Sequence, residues 1–143
     1  MLPGRARNPT RTLTPERLGA YPRDMFHEAL RDIVESTDGS LAGILMDSQG
    51  SRIDSYARPG AGFDIDEVGV EYGVLLGSIR KATEQLAAGV TQEVAIGTDK
   101  MITLIRVVND SYFVAFSMTP GANIGKARYM LRTRVPTLLK ELT

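Results

Sequence analysis

A helix carrying a glycine at every fourth position is the feature that most restricts what this chain can become. Asp64 with Glu67 three residues later makes an acidic capping box, which opens a helix predicted to run to about Ala88. Ile65, Val68, Tyr72, Leu75, Ile79, Ala82 and Leu86 then fall alternately three and four apart, the spacing of a core stripe. Gly69, Gly73 and Gly77 form a second stripe whose mean direction lies about 130° from the middle of the first, at 100° per residue. Each interior glycine costs roughly 1 kcal/mol against alanine, so three in one helix need a reason. Close approach of another backbone supplies one. With the core stripe assigned to the domain's own sheet, the glycine face, flanked by Val70, Val74 and Leu76, is expected to meet a second copy across a two-fold axis. The alternative is that these glycines pack on an internal strand.

The elements around this helix read as an α+β domain. Pro22 suits a first helical position, and Met25, Phe26, Ala29, Leu30, Ile33 and Val34 give the following helix an apolar stripe that ends at Thr37-Asp-Gly39. Leu41-Ala-Gly-Ile-Leu-Met46, the turn Asp47-Ser-Gln-Gly50 and Arg52-Ile-Asp-Ser-Tyr-Ala57 make a hairpin. Its first strand is apolar on both faces and is expected to lie inside the sheet, covered on both sides. After Gly89 come three strands in a meander: Val90 to Ile96, with alternating character; Met101 to Val108, nearly all apolar; and Tyr112 to Met118, apolar and aromatic. Asn123 suits the N-cap of a last helix with Ile124, Ala127, Met130, Leu131, Val135, Leu138, Leu139 and Leu142 on its apolar side. Pro136 should kink that helix near Arg132. The order αββαβββα predicts a five-stranded antiparallel sheet flanked by helices, in three layers or in two plus a dimer layer.

Composition removes several chemistries. The 143 residues contain no Cys and one His, which excludes a disulfide framework, thiol catalysis and a Cys-based zinc site, and leaves a His-based site short of ligands. Seventeen Lys and Arg balance 17 Asp and Glu, without the cationic surplus a nucleic-acid binder needs. The apolar runs are too short to span a bilayer. The balance is uneven: Arg5, Arg7, Arg11 and Arg17 face only Glu16 in the first 20 residues, which hold three prolines and no hydrophobic periodicity. Residues 1–21 are therefore expected to be a disordered basic leader, or a short basic arm for an acidic partner or membrane surface, and residues 22–143 the folded domain.

Four motifs approach a chemistry and miss it. Gly121-Ala-Asn-Ile-Gly-Lys-Ala127 sits where a phosphate-binding loop would, but three residues separate its glycines, Pro120 occupies the required glycine position and Ala127 offers no oxygen to magnesium. Asp64-Ile-Asp-Glu67 begins like a calcium loop, yet Val68 and Leu75 stand at ligand positions. Gly60-Ala-Gly62 lacks the third glycine of a dinucleotide fingerprint, with Ile65 in its place. His27, beside Asp24 and Arg23, has no Gly-x-Ser-x-Gly elbow or Cys to activate and reads as a surface or rim residue. The carboxylates Asp64, Asp66, Glu67, Asp99 and Asp110 sit at a helix start and in turns, where Asp is favoured for backbone reasons. No catalytic, cofactor or metal residue is assigned, and activity of the chain's own is not expected.

The central helix with Glu71-Tyr-Gly-Val-Leu-Leu76, the meander segments Lys100-Met-Ile-Thr-Leu-Ile-Arg-Val-Val108 and Tyr112-Phe-Val-Ala-Phe116, and the helix entry Asn123-Ile-Gly-Lys-Ala-Arg-Tyr129 resemble the Roadblock/dynein light chain domain. The resemblance spans about residues 22–142. Within the family it is greatest to the bacterial gliding-motility regulators of the MglB/MglC type, and the MglC-like branch is favoured. It implies a cytoplasmic homodimer built through residues 64–97, with two sheets joined into one. It also implies as partners a Ras-like small GTPase, roadblock paralogues or polarity regulators. Residues expected at the dimer seam are Gly69, Val70, Gly73, Val74, Leu76, Gly77 and Arg80 on the helix, and Thr91, Glu93 and Ala95 on the strand. The basic leader and the lack of an acidic tail beyond Leu142 depart from the MglB pattern and favour a scaffold over an activator of GTP hydrolysis.

Two classes of function follow. One is a non-enzymatic roadblock dimer that scaffolds or modulates a small-GTPase complex. The other is a sensory module of similar sandwich fold, holding a small molecule between sheet and helices. The second needs polar groups inside to orient a ligand, and the Leu, Ile, Val and Phe at core positions disfavour it.

Overall fold

The expected elements form in the expected order in the computed structural model, which describes residues 25–142. They are α1 (Met25–Glu35), β1 (Ser40–Asp47), β2 (Arg52–Ala57), α2 (Ile65–Gln85), β3 (Glu93–Gly97), β4 (Ile102–Val107), β5 (Tyr112–Met118) and α3 (Ile124–Leu142). The expected leader and the helical start at Pro22 lie outside the described residues.

The strands make one antiparallel sheet in the order β2-β1-β5-β4-β3. Strand β1, read as apolar on both faces, and β5, read as apolar and aromatic, are neighbours inside it, and their alternate side chains feed two cores. Ala42, Ile44 and Met46 of β1, Ile105 of β4, and Phe113 and Ala115 of β5 point to one face and pack against Ile65 and Leu76 of α2. Leu45, Leu104, Val114, Phe116 and Met118 point to the other, against Phe26, Leu30, Ile33 and Val34 of α1 and Ala127, Met130, Leu131, Val135 and Leu138 of α3. The result is three layers, with α2 the one helix among the described residues on its side of the sheet. Fully burying each Val, Leu, Ile, Phe or Met among them contributes about 1.5–3 kcal/mol, so both cores matter to stability.

Local polar groups hold the corners. The α1 C-terminus is closed by a side chain distant in sequence: Arg58 donates from Nη2 to the Val34 carbonyl at 2.9 Å and from Nε to the Ser40 carbonyl at 2.8 Å. A cation is thereby placed on the orphan carbonyls at the negative end of the helix. Asp47 Oδ1 accepts from the Gln49 and Ser51 amides at 2.9 and 2.8 Å, and Gly50, at φ 89°, completes the β1–β2 turn. Asp64 caps α2 by accepting from the Asp66 amide at 2.9 Å, and Asn123 caps α3 through the Lys126 amide at 3.0 Å. Helix α3 contains Pro136 and runs on past it to Leu142.

Two expectations shift. Strand β3 begins at Glu93, not Val90, whose side chain is 83% exposed. The orientation of α2 is also corrected: Leu75 and Leu86, assigned to its core stripe, are exposed, whereas Gly69 and Leu76 are buried against the sheet. A methyl group on Gly69 would collide with Met46 Sδ and come within 3.2 Å of Ile44 Cγ2, and one on Gly73 would come within 3.1 Å of Phe113 Cζ. These two glycines therefore lie on an internal strand, the alternative reading of the stripe. Gly77 meets nothing within 4 Å and is exposed. Positions four apart drift about 40° around a helix of 3.6 residues per turn, so one stripe starts against the sheet and ends in solvent.

Candidate protein-interaction site

The face of α2 turned away from its sheet is unusually apolar. Val70 is 46% exposed, Val74 72% and Leu75 40%; Leu86 and Val90, on the way to β3, are 76% and 83% exposed. Among the described residues, Tyr129 is the sole other large apolar side chain left so open. One continuous stretch of chain, residues 70–90, thus carries nearly all the exposed apolar surface of this kind.

That stretch leads directly into a sheet edge that no other described strand pairs. Strand β3 pairs with β4 in the register Val94 to Ile105 and Ile96 to Thr103, and Val107 N donates to the Gln92 carbonyl at 3.0 Å. Alternation along an antiparallel ladder then turns the amides and carbonyls of Val94 and Ile96 toward β4, and those of Glu93, Ala95 and Gly97 outward. Val94 and Ile96 lie on the α2 side of the sheet and remain half-buried. Helix α2 packs chiefly over β1, β2 and β5, so this end of the face has lighter cover.

The residues expected at a dimer seam divide accordingly. Val70, Val74, Gly77 and Ala95 are exposed. Gly69, Gly73 and Leu76 face the chain's own sheet, which removes them from an outward seam. Arg80 donates to the carbonyls of Asn109 and Asp110 at 3.1 and 3.3 Å and ties α2 to the β4–β5 turn. The Thr91 hydroxyl is 3.0 Å from that of Thr83. The Glu93 carboxylate accepts from Arg128 of α3 at 3.0 Å, so at this position the backbone, not the side chain, remains available at the edge. Sequence reasoning missed Leu86 and Val90 as surface groups because both fitted a periodic pattern, and periodicity does not reveal what covers a position.

The remaining polar clusters are surface clasps. His27 Nδ1 lies 2.9 Å from the Ser55 carbonyl, and its ring meets that of Tyr56 edge-on at 5.5 Å between centroids. The Tyr56 hydroxyl donates to Glu35 Oε2 at 2.5 Å. This bond holds the Glu35 carboxyl below its ordinary pKa and the Tyr56 phenol above its own, and the same carboxylate raises Arg31. Among the described residues, no three His, Asp or Glu side chains converge as metal ligands. No described helix is long and apolar enough to cross a membrane. A cleft of about 350 Å³ opens at the end of α2, lined by Arg80, Thr83, Glu84, Val90, Thr91 and Asp110. Its walls come from the last turns of the helix, the approach to β3 and the β4–β5 turn, and it is not enclosed between helix and sheet.

A five-stranded antiparallel sheet in this order, with one long helix on one face and two helices on the other, defines a roadblock-type sandwich. No protein-family model and no curated protein matches the chain, but solved structures do. It is 33% identical to MglC from Myxococcus xanthus, with 82% of this chain and 98% of that one covered at a TM-score of 0.60. The gliding protein MglB from Thermus thermophilus matches at 14% identity, covering 81% of this chain and 87% of that one, with a TM-score of 0.73. A Roadblock/LC7 domain from Streptomyces avermitilis matches at 13% identity, 78% and 92% coverage and a TM-score of 0.69. The last two likenesses are of fold. The first is also of sequence, and the chain belongs to the roadblock family, in its MglB/MglC branch.

Proposed function

We propose that this protein is a non-enzymatic homodimeric adaptor of the cytoplasm that binds a Ras-like small GTPase, or the roadblock paralogues and polarity regulators around one, in gliding motility or cell polarity. The observation that carries the reading is the continuity of exposed Val70, Val74, Leu86 and Val90 with the open edge of β3. A two-fold axis beside β3 joins two edges into one sheet, places the two α2 helices next to each other, and covers apolar surface that one chain leaves in water. The resulting double-width surface, not a catalytic group, is what a GTPase would recognise. Of the structures named above, MglB is a gliding protein and another is a Roadblock/LC7 domain, which supports the setting.

Light scattering after size exclusion tests the first step. Wild type is expected to be dimeric at micromolar concentration and Val74→Glu monomeric, because a carboxylate at the seam would lose its water. A wild-type monomer overturns the dimer. The second step is a titration of the dimer against the small GTPases and roadblock proteins of its own organism, with GDP and with GTP bound. Failure to bind any of them in either state overturns the adaptor reading.

A further inference from the structure

On the opposite side of the sheet from α2, the structure holds a second recognition surface. Between α3 and the end of β4 lies a cleft of about 110 Å³ with Val108, Leu131 and Val135 among its apolar walls and Arg106, Arg132 and Pro136 beside them. It adjoins a larger cleft of about 260 Å³ that shares Arg106 and Val108 and continues past Gln92.

The smaller cleft has two guanidinium groups and no carboxylate in its lining, and the larger adds one carboxylate, Asp110. Arg106 is the cross-strand partner of Glu93, where an ion pair would be ordinary, but the Glu93 carboxylate is taken by Arg128 at 3.0 Å. Two arginines thus compete for one carboxylate, and the guanidinium of half-buried Arg106 is left without a hydrogen bond or ion pair among the described residues, as is that of Arg132. A guanidinium that has lost part of its water, as at Arg106, normally finds an acceptor; Arg132 stands exposed beside it. Pro136 adds a complementary group: having no amide hydrogen, it leaves the Arg132 carbonyl without its helical donor four residues on.

We propose that this cleft binds an extended acidic segment of a partner protein, anchored by an aliphatic side chain. Its carboxylates meet Arg106 and Arg132, a main-chain amide donates to the Arg132 carbonyl, and the aliphatic group lies on Leu131 and Val135. Alternate residues of an extended chain point to opposite sides, so acidic and aliphatic residues in alternation present each group to its own wall. A nucleic acid fits poorly, since two guanidinium groups over an apolar floor are far from a phosphate-tracking surface. The smaller cleft shares no lining residue with the α2 and β3 seam, whereas the larger one reaches Val90 and Thr91 beside it.

The test is a fluorescence-anisotropy titration of the full chain with a labelled decapeptide in which Glu and Leu alternate, and with its Lys-for-Glu counterpart. The acidic peptide is expected to bind and the basic one not. Arg106→Ala and Arg132→Ala should each weaken binding about tenfold, the effect of removing one charge-assisted contact, while Arg31→Ala on α1, which lines neither cleft, leaves it unchanged. Because Arg132 is exposed, its variant keeps the fold and remains informative if Arg106→Ala does not. Equal binding of both peptides, no binding of either, indifference to both arginine variants, or capture of phosphatidylserine vesicles in place of the peptide would each overturn the proposal.

Discussion

Gly69 and Gly77 occupy the same helix two repeats apart, yet they answer to different physics. At Gly69 the absent side chain is a packing requirement, because Met46 and Ile44 already fill the space a methyl group would take. At Gly77 nothing lies within 4 Å, so only backbone freedom is at stake. Gly69→Ala is therefore expected to destabilise the fold by about 1–2 kcal/mol, overpacking outweighing the gain in helix propensity. Gly77→Ala should stabilise the isolated chain by up to about 1 kcal/mol, through lower entropy of the unfolded state. Urea denaturation at low protein concentration measures both. Equal effects at the two positions would contradict the orientation of α2. The contrast also explains why Gly73→Leu is a poor probe of dimerisation: its side chain would strike Phe113 within the same chain.

At the scale of elements, the strands and the two helices on the α1 side were legible because each has one environment. The apolar residues of α1 all face one core, and β1 and β5 are so uniformly apolar that only interior positions suit them. Helix α2 was legible as a helix but not in its orientation. It has an apolar face against the sheet and another in solvent, and exposed Leu75 and Leu86 fall on the same three-and-four spacing as Ile65, Val68 and Tyr72, which pack on the sheet. Periodicity counts apolar positions and is blind to whether a sheet or a second molecule covers them. The Glu93–Arg128 pair was out of reach for a related reason, since its partners meet only after β3 and α3 have found their places. The end of α2 shows a local rule broken. Ala88 N bonds the Thr83 carbonyl at 2.8 Å and Ala87 N that of Glu84 at 3.1 Å, a Schellman closure whose left-handed residue is Ala87, at φ 52°. Glycine normally takes that place because it has no Cβ to strain. Ala87→Gly is expected to raise the unfolding free energy by about 0.5–1 kcal/mol by the same urea measurement. A loss of stability would show that the Ala87 side chain contributes more than its backbone strain costs.

For the whole molecule, the asymmetry of the sheet edges sets how copies can join. At β2 the outer edge is obstructed: the Ser55 amide is held by Asp54 Oδ1 at 2.8 Å and its carbonyl lies 2.9 Å from His27 Nδ1, while the ladder with β1 carries a bulge. At β3 the outward groups of Ala95 have no such cover among the described residues and stand beside the exposed apolar stretch. Natural sheets blunt the edges that must not pair, so growth at one edge and closure at the other gives a finite pair of subunits, not a filament. If β3 is the joint, association is linked to folding and the melting temperature must depend on concentration. A tenfold rise in wild-type concentration is expected to lift it by about 3 °C, given the unfolding enthalpy of two chains of this length. Ala95→Pro should abolish that dependence. The proline removes an amide that faces outward, which an edge strand tolerates within its own sheet, while denying the partner strand its central hydrogen bond. Calorimetry across a hundredfold concentration range separates the cases. A wild-type transition that stays at one temperature would place the joint elsewhere or nowhere. A proline variant that still shifts with concentration would move the interface from the β3 backbone to the α2 side chains alone.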